Sequence, residues 1–514
     1  MNNVRHALGN RKWIGWFLVF SSFGLGLVTL YKGEFGDEAD NLVVGTLIWR
    51  GYALYRDVFS HHFPFPYYWM ALVVGLFGKS IYIARLSLLV FQTVAFALGM
   101  RLSEDYLTVG VAAIMWSIMR SFYRGNMVLY NAFAGTSLLV VAVIVLAVLQ
   151  QRVLLDWNHC VALGIFSLIA VLSDPLSVYA ISIALFLLFT KKPLWGVNAG
   201  LVFVGGLALY AVYLFATGNA QVFWDSAILF NSQIYTKYND TKPLRIGELV
   251  SMMLRGLELT DAAWFNFNPF KPITGIYTDL DQWFFTGFLY RFAIIANTVL
   301  FIHKKQYRAA VFMYLFAASN LITNKWGFRA QPFIIIALLA ISTLITNAWW
   351  HETGHRFLRT TQIIVSAMVL VVTGWLCLRL TVDIYTQSNT YGAAQFASVE
   401  QESAYIQKLA CNQPDVLLAH YPFGSYYYWF TDMRPVSKYV FMWPWVAEVG
   451  LNDVIHELSQ KQLLAIVVRK EGSIWGLYDT NVYLRPLDVF LKETYRQVAN
   501  GIYLSPALDA RCSQ

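Results

Sequence analysis

Between Phe35 and Pro66 the chain reads FGDEADNLVVGTLIWRGYALYRDVFSHHFPFP. Asp37, Glu38 and Asp40 fall close together, followed by Arg56-Asp57 and then the adjacent histidines His61-His62. A carboxylate held at an apolar boundary has its pKa raised toward a value useful for taking a proton, so Asp37 is the candidate general base and Glu38 its companion. Histidines next to carboxylates can hold a divalent cation, Mg or Mn, and the candidate ligand set is Asp37, His61 and His62. Each group also has a plainer reading. Asp37 could cap a helix that runs from Glu38 onward, where the helix dipole favours acids. His61, His62 and Asp57 could instead hydrogen-bond an anion or a polar substrate directly, or simply decorate the approach to the Pro64-Pro66 turn.

The elements that must position these groups are mostly apolar. Of 514 residues, 57% are hydrophobic and 17% aromatic. Only 13% are charged, against roughly 25% in an ordinary soluble domain. Such a chain cannot cover itself with polar surface. Apolar runs of about twenty residues recur along it, which predicts an all-α polytopic membrane bundle. The formal charge is +8. Its basic residues gather at helix ends rather than in a stripe interleaved with aromatics, which argues for membrane topology and against nucleic acid.

The first span, 13–31, follows Arg5, Arg11 and Lys12 and lacks a small-residue cleavage site, so it reads as uncleaved with a cytoplasmic N-terminus. Further spans are expected at 81–100, 107–120, 127–149, 159–173, 176–190, 194–216, 283–302, 307–323, 331–347 and 361–383. That makes about eleven. Arg101, Arg152, Lys191-Lys192, the 303–308 cluster and Arg356-Arg359 then fall in cytoplasmic connections, as the positive-inside rule requires. The protein is expected to be a multi-pass inner-membrane protein. The acidic stretch, loop 32–80, lies outside, with a second long outer loop at 217–282. In loop 32–80, residues 38–50 and 67–77 have helical apolar spacing but are short for a span, so they suit helices lying at the interface. The amphipathic piece 246–259 suits a third.

Residues 1–383 thus form the membrane domain and 384–514 a small extracytoplasmic α/β domain. In that tail, 415–419 and 464–468 read as short buried strands flanking a helix at 452–460. Cys411 and Cys512 lie near its two ends. In an oxidising compartment they could form a disulfide closing the domain; the alternative is two free thiols.

These features resemble the GT-C class of integral-membrane glycosyltransferases. The resemblance rests on Asp37-Glu38 in the first outer loop, the GYALYRDVFSHHFPFPYYW passage, a glycine-bounded turn into the next span, and an α/β tail containing YYYWFTDMRP. Within the class, the chain is most similar to the bacterial branch related to protein O-mannosyltransferases and the lipid A aminoarabinose transferase. A weaker echo is NKWGFR, Asn324 to Arg329, before the span that opens Gln331-Pro332. The resemblance implies an EC 2.4 enzyme that transfers a sugar from a polyprenyl-phosphate donor, usually with inversion, to a cell-envelope glycan, lipid or protein, with membrane lipids around it. It implies Asp37 as base, assisted by Glu38. Arg56, Asp57, His61, His62, Lys325 and Arg329 become candidates for the donor phosphate or substrate. Asp40 beside the acidic pair departs from the pattern, and the acceptor-determining regions match no named member. Two other classes compete: a transporter or flippase of lipid-linked sugars, which needs mid-membrane polar groups or repeat symmetry, and a non-catalytic scaffold. Few charges fall mid-span, and no internal repeat is evident.

Overall fold

The computed structural model describes residues 2–238, 288–320, 327–350, 395–474 and 476–512, with single positions between 360 and 374. The expected helix at 246–259, Lys325, most of the 217–282 loop, the last span and the 383/384 boundary lie outside the described residues. In chain order the first helices are α1 (Asn2–Thr29), α2 (Gly36–Trp49), α3 (Phe65–Phe77), α4 (Ile81–Ser103), α5 (Tyr106–Met119), α6 (Tyr130–Leu149), α7 (Trp157–Ser173), α8 (Ser177–Lys191) and α9 (Pro193–Ala216). Later helices are named by their residues. The chain divides into two compact units.

The first unit comprises the described residues of Met1–Gly33, Tyr82–Tyr213 and Leu244–Ser388. It is a helical bundle of a multi-pass membrane protein. Arg11–Thr29, Ile81–Ser103, Tyr130–Leu149 and Pro193–Ala216 are long and apolar enough to cross a membrane, and shorter apolar helices accompany them. Helix α6 is apolar all round and fully enclosed, as such a helix must be. It packs on α7, α8 and the Gln331–Trp350 helix. The expected span at 127–149 begins at Tyr130 because Leu129 is extended (φ −118°, ψ 150°). Polar groups fix the chain where it leaves α1. Arg85, fully buried, donates to the carbonyls of Leu30 (2.9 Å) and Gly33 (2.7 Å). Asn126 donates to those of Thr29 and Lys32, both at 2.8 Å. Charge-assisted bonds to carbonyls that helix α1 leaves unmatched offset the cost of burying a guanidinium.

The second unit comprises the described residues of Glu34–Ile81, Leu214–Pro243 and Asn389–Gln514. Helices α2 and α3 are the two expected from the sequence within loop 32–80, and they pack on each other. Glycines permit the close crossing. A Cβ on Gly45 would meet the Met70 Cβ at 2.4 Å, and one on Gly75 would meet the Trp49 ring at 2.4 Å. Helix α3 opens with a proline, whose fixed φ suits the first turn, and stops at Gly78 (φ +79°). After α9 the segment Ala220–Phe223 runs into two π-helical turns, Trp224–Leu229 and Asn231–Tyr235.

The tail contributes a five-stranded sheet of order β2-β1-β3-β7-β6. Strand β1 (Leu417–Tyr421) pairs in parallel with β2 (Arg434–Pro435) and β3 (Ala465–Arg469). A separate hairpin joins β4 (Ser473–Ile474) to β5 (Tyr478–Asp479). β6 (Arg496–Ala499) and β7 (Ile502–Leu504) close the main sheet antiparallel. Every residue of β3 is buried, as a central strand covered on both faces should be. β1 lies two residues later than the apolar run 415–419 suggests, because Leu417 takes its register from Ala465. The intervening helix is longer than expected, Pro444–Leu458. Cys411 and Cys512 are joined, with Cα atoms 5.6 Å apart, linking the end of the Ala397–Leu409 helix to that of Pro506–Cys512.

Candidate active site

Helix α2 carries Asp37, Glu38 and Asp40 in its opening turns. Residue Phe35, extended at φ −158° and ψ 134°, precedes it and has no side chain able to cap it. Asp37 therefore lies inside the first turn and does not cap a helix beginning at Glu38, which corrects the plainer reading of that residue. The cap comes from the tail. The Phe35 N–H donates to the Tyr426 hydroxyl at 3.2 Å, and that hydroxyl lies 3.5 Å from Glu38 Oε2. Tyr426 thus holds the backbone and one acid of the same turn.

Three residues after Asp37, Asp40 returns to nearly the same helix face. Its side chain is buried (6% exposed), and Glu38 is fully buried. Asp40 Oδ2 accepts from the Tyr67 hydroxyl at 2.9 Å. Tyr67 Oη lies 2.6 Å from Ser60 Oγ, which accepts the His62 N–H at 3.0 Å. With Asp40 ionised, Tyr67 donates to it, so Ser60 donates to Tyr67. Asp40 Oδ1 is buried and has no hydrogen-bond partner among the described residues. Burial raises the Asp40 pKa to about 7. The Tyr67 hydrogen bond works against that rise, and the charge of Asp37 adds to it. Asp40 is therefore the acid of this turn whose pKa is raised toward neutrality, chiefly by burial.

The turn between α2 and α3 is held from several sides. Tyr55, at φ +72°, donates its hydroxyl to the His62 carbonyl at 3.0 Å. The Phe59 N–H donates to the Lys438 carbonyl at 2.8 Å. Asn231, in a π-helical turn, donates to the His61 carbonyl at 2.6 Å. The His61 ring is 6% exposed, 4.1 Å from His62 and 5.0 Å from Tyr235, centroid to centroid. Arg56 and Asp57 pair with each other at 2.9 Å. The Arg56 hydrogen bond holds the Asp57 carboxyl below its usual range, with burial opposing. At the far ends of α2 and α3, Asp432 binds both Arg50 (2.5 Å) and Lys79 (2.6 Å).

Of the residues singled out in the sequence, Asp37, Glu38, Arg56, Asp57, His61 and His62 all fall in this second unit. Arg329 belongs to the first unit, where its charge acts on Asp174. Asp174 accepts the Leu176 N–H at 3.1 Å in the turn before α8. The candidate metal set does not assemble. Among the described residues no three His, Cys, Asp or Glu side chains gather as a metal site needs. His61 is turned into an aromatic cluster with Tyr235 and Phe230. Ser60, Tyr67 and Tyr426 are the contributors that the sequence does not disclose. Tyr67 and Tyr426 look like interfacial aromatics, yet each places its hydroxyl on an α2 carboxylate. Their neighbours are committed as well: Tyr427 donates to Glu402 at 2.7 Å, and Trp429 lies under the Lys79 ammonium.

No family model and no curated protein matches the chain in sequence. In structure it is similar to ArnT from Cupriavidus metallidurans bound to undecaprenyl phosphate, with TM-score 0.53 and 12% identity over 96% of this chain and 99% of that one. The apo state of the same protein gives TM-score 0.51 at 12% identity. The apo oligosaccharyltransferase of Archaeoglobus fulgidus matches with TM-score 0.51 and 12% identity, over 88% of this chain and 69% of that one. Both neighbours are GT-C glycosyltransferases. The chain has the GT-C fold: a bundle of apolar helices with a small C-terminal α/β region.

Proposed function

We propose that the protein transfers a sugar from a polyprenyl-phosphate donor to a hydroxyl-bearing acceptor at the extracytoplasmic face of the membrane, with inversion. The observation that carries this reading is the buried Asp40, held by the Tyr67 hydroxyl three residues after the less buried Asp37 at the head of α2, in a chain of GT-C fold. Asp37, the less buried of the two, takes the proton from the acceptor hydroxyl. The acceptor oxygen forms its bond to the anomeric carbon as the bond from that carbon to the phosphate oxygen breaks, and the electron pair leaves on the phosphate. Attack opposite the leaving group inverts the centre. A proton on Asp40 spares the turn two neighbouring anions, because burial raises the Asp40 pKa and the charge of Asp37 adds to that rise. Tyr67 and Ser60 hold Asp40 still. Tyr426 holds the turn that carries Asp37 and Glu38, and Glu38 keeps that turn acidic.

His62 and His61, next to this relay, serve the donor phosphate or the sugar as hydrogen-bond donors; Arg329 and Lys325 are assigned to the phosphate. Arg56 and Asp57 are assigned to the substrate. The test uses the full chain in detergent with a labelled polyprenyl-phosphate sugar and an envelope extract as acceptor source. Asp37→Asn is expected to lower transfer by roughly 10²–10⁴, the usual yield of a positioned base. Equal turnover by wild type and variant would remove Asp37 from the role. Chelation is expected to leave turnover unchanged, and its loss, restored by Mg or Mn, would reinstate a cation.

A further inference from the structure

Beside the turn that leads into Ser60 is a cleft of about 400 Å³. It is lined from one side by Tyr52, Arg56 and Asp57, and from the other by Lys438, Tyr439 and the Asp453–Glu457 face of the Pro444–Leu458 helix. Its size is within the range of small-molecule sites, roughly 300–1,000 Å³. Some of its groups are already occupied. Arg56 pairs with Asp57, whose other oxygen accepts the Ala53 N–H at 2.8 Å. Lys438 lies 5.1 Å over the Tyr439 ring and 3.9 Å from Asp453. The side chains of Tyr52, His456 and Glu457 bond to no other group among the described residues. Tyr439 is buried and donates its hydroxyl to Asp453 at 3.3 Å, so the cleft offers the Tyr52 ring and phenol, an imidazole and a carboxylate with unspent hydrogen-bonding capacity.

The charge balance narrows what can fill it. Three carboxylates (Asp57, Asp453 and Glu457) face two cations, and both cations are engaged. An anion would meet net negative charge. An apolar ligand would strip water from carboxylates without replacing it. The three acids do not gather as a metal site. What remains is a neutral or basic molecule rich in hydroxyls, able to lie on a ring and share hydrogen bonds with carboxylate, imidazole and phenol. We infer that this cleft binds a neutral or basic saccharide unit of the acceptor. Its role in transfer rests on the reading given above, but binding itself does not. Asp57 and Ser60 are three residues apart, so their Cα atoms are separated by at most about 10 Å. The cleft and the Ser60–Tyr67–Asp40 chain of hydrogen bonds therefore belong to one turn of the chain.

The test is saturation-transfer NMR on the full chain in nanodiscs, with maltose, glucosamine and glucuronate as probes. Maltose or glucosamine should bind and glucuronate should not. Glu457→Gln, at the exposed surface, and Tyr52→Phe, which removes only the hydroxyl of a half-buried ring, should each weaken binding several-fold, as the loss of a hydrogen bond does, with the melting temperature unchanged. Asp37→Asn should bind as wild type does. No binding by any probe, strongest binding by glucuronate, or binding indifferent to both cleft variants overturns the site. Sugar binding that these variants weaken, in a protein that consumes no lipid-linked donor, sustains the site and removes the transfer reading instead.

Discussion

At the head of α2 and at the Arg56-Asp57 turn the chain places charge on the same helical hairpin, and it treats the two places oppositely. Glu38 and Asp40 are buried, and each meets a tyrosine hydroxyl, Tyr426 and Tyr67 respectively. Asp57 has its own arginine next to it, and both side chains reach solvent. A carboxylate neutralised by a guanidinium is a poor base, because the ion pair holds its pKa down. A carboxylate held only by a hydroxyl in a dry setting stays basic. The first place is thus suited to proton chemistry and the second to holding a polar ligand.

The comparison breaks first where its effect should be largest. Asp37→Asn should reduce transfer by orders of magnitude, while Asp57→Asn should act mainly on acceptor affinity; comparable losses of turnover from both would dissolve the distinction. Asp40 sharpens it through pH. Its folded pKa, about 7, is above the unfolded value of 3.8. Between those two values the folded protein keeps a proton that the unfolded chain has released. Stability from this group is therefore full below 3.8 and falls as pH rises toward 7. Asp40→Asn imitates the protonated form. It should leave stability unchanged at pH 4 and raise it at pH 8 by a few kcal/mol, at roughly 1.4 kcal/mol per pKa unit. It should also remove an inflection near pH 7 from the rate profile. Parallel melting curves for wild type and variant at pH 4 and pH 8 would show that Asp40 is not the group that titrates.

Much of this was readable in the sequence, and the reason differs from place to place. Apolar runs reveal membrane helices because length and hydropathy are local properties, and α4 and α6 begin or end within a few residues of expectation. The acidic cluster announces itself by charge beside apolar sequence. The partners do not. Tyr426 is 388 positions from Glu38, and an aromatic in a membrane protein has a sufficient local explanation already. Asp40 looks like a third solvated acid until Tyr67 is seen to cover it. The donor-side candidate Arg329 reads as a phosphate ligand by residue type, and the sequence does not show that its charge also acts on Asp174. The sheet in the tail is half legible: VLLA and LAIVV are long enough to read, but RQVA and IYL are too short and take their identity from pairing.

Tyr426→Phe is expected to have a medium effect. It removes the hydroxyl that accepts the Phe35 N–H and that lies 3.5 Å from Glu38 Oε2. Loss of a cap or a neutral hydrogen bond costs about 1 kcal/mol. A several-fold drop in transfer should accompany it, with the pH profile keeping its shape because Asp40 is untouched. A profile that moves with Tyr426→Phe would place this tyrosine in the proton relay itself rather than beneath it.

The smallest effect belongs to the other end of the comparison. Arg56→Gln breaks an ion pair that solvent already screens, and the Asp57 carboxylate keeps the Ala53 N–H. Exposed pairs of this kind contribute little, because water solvates each partner nearly as well as the other does. No measurable change in melting temperature is expected at neutral pH, and none on raising salt. A clear destabilisation that grows at low salt would mean that the Arg56-Asp57 pair is more enclosed than its exposure suggests. The turn would then resemble the head of α2, and the division between a dry proton site and a wet binding site would have to be redrawn.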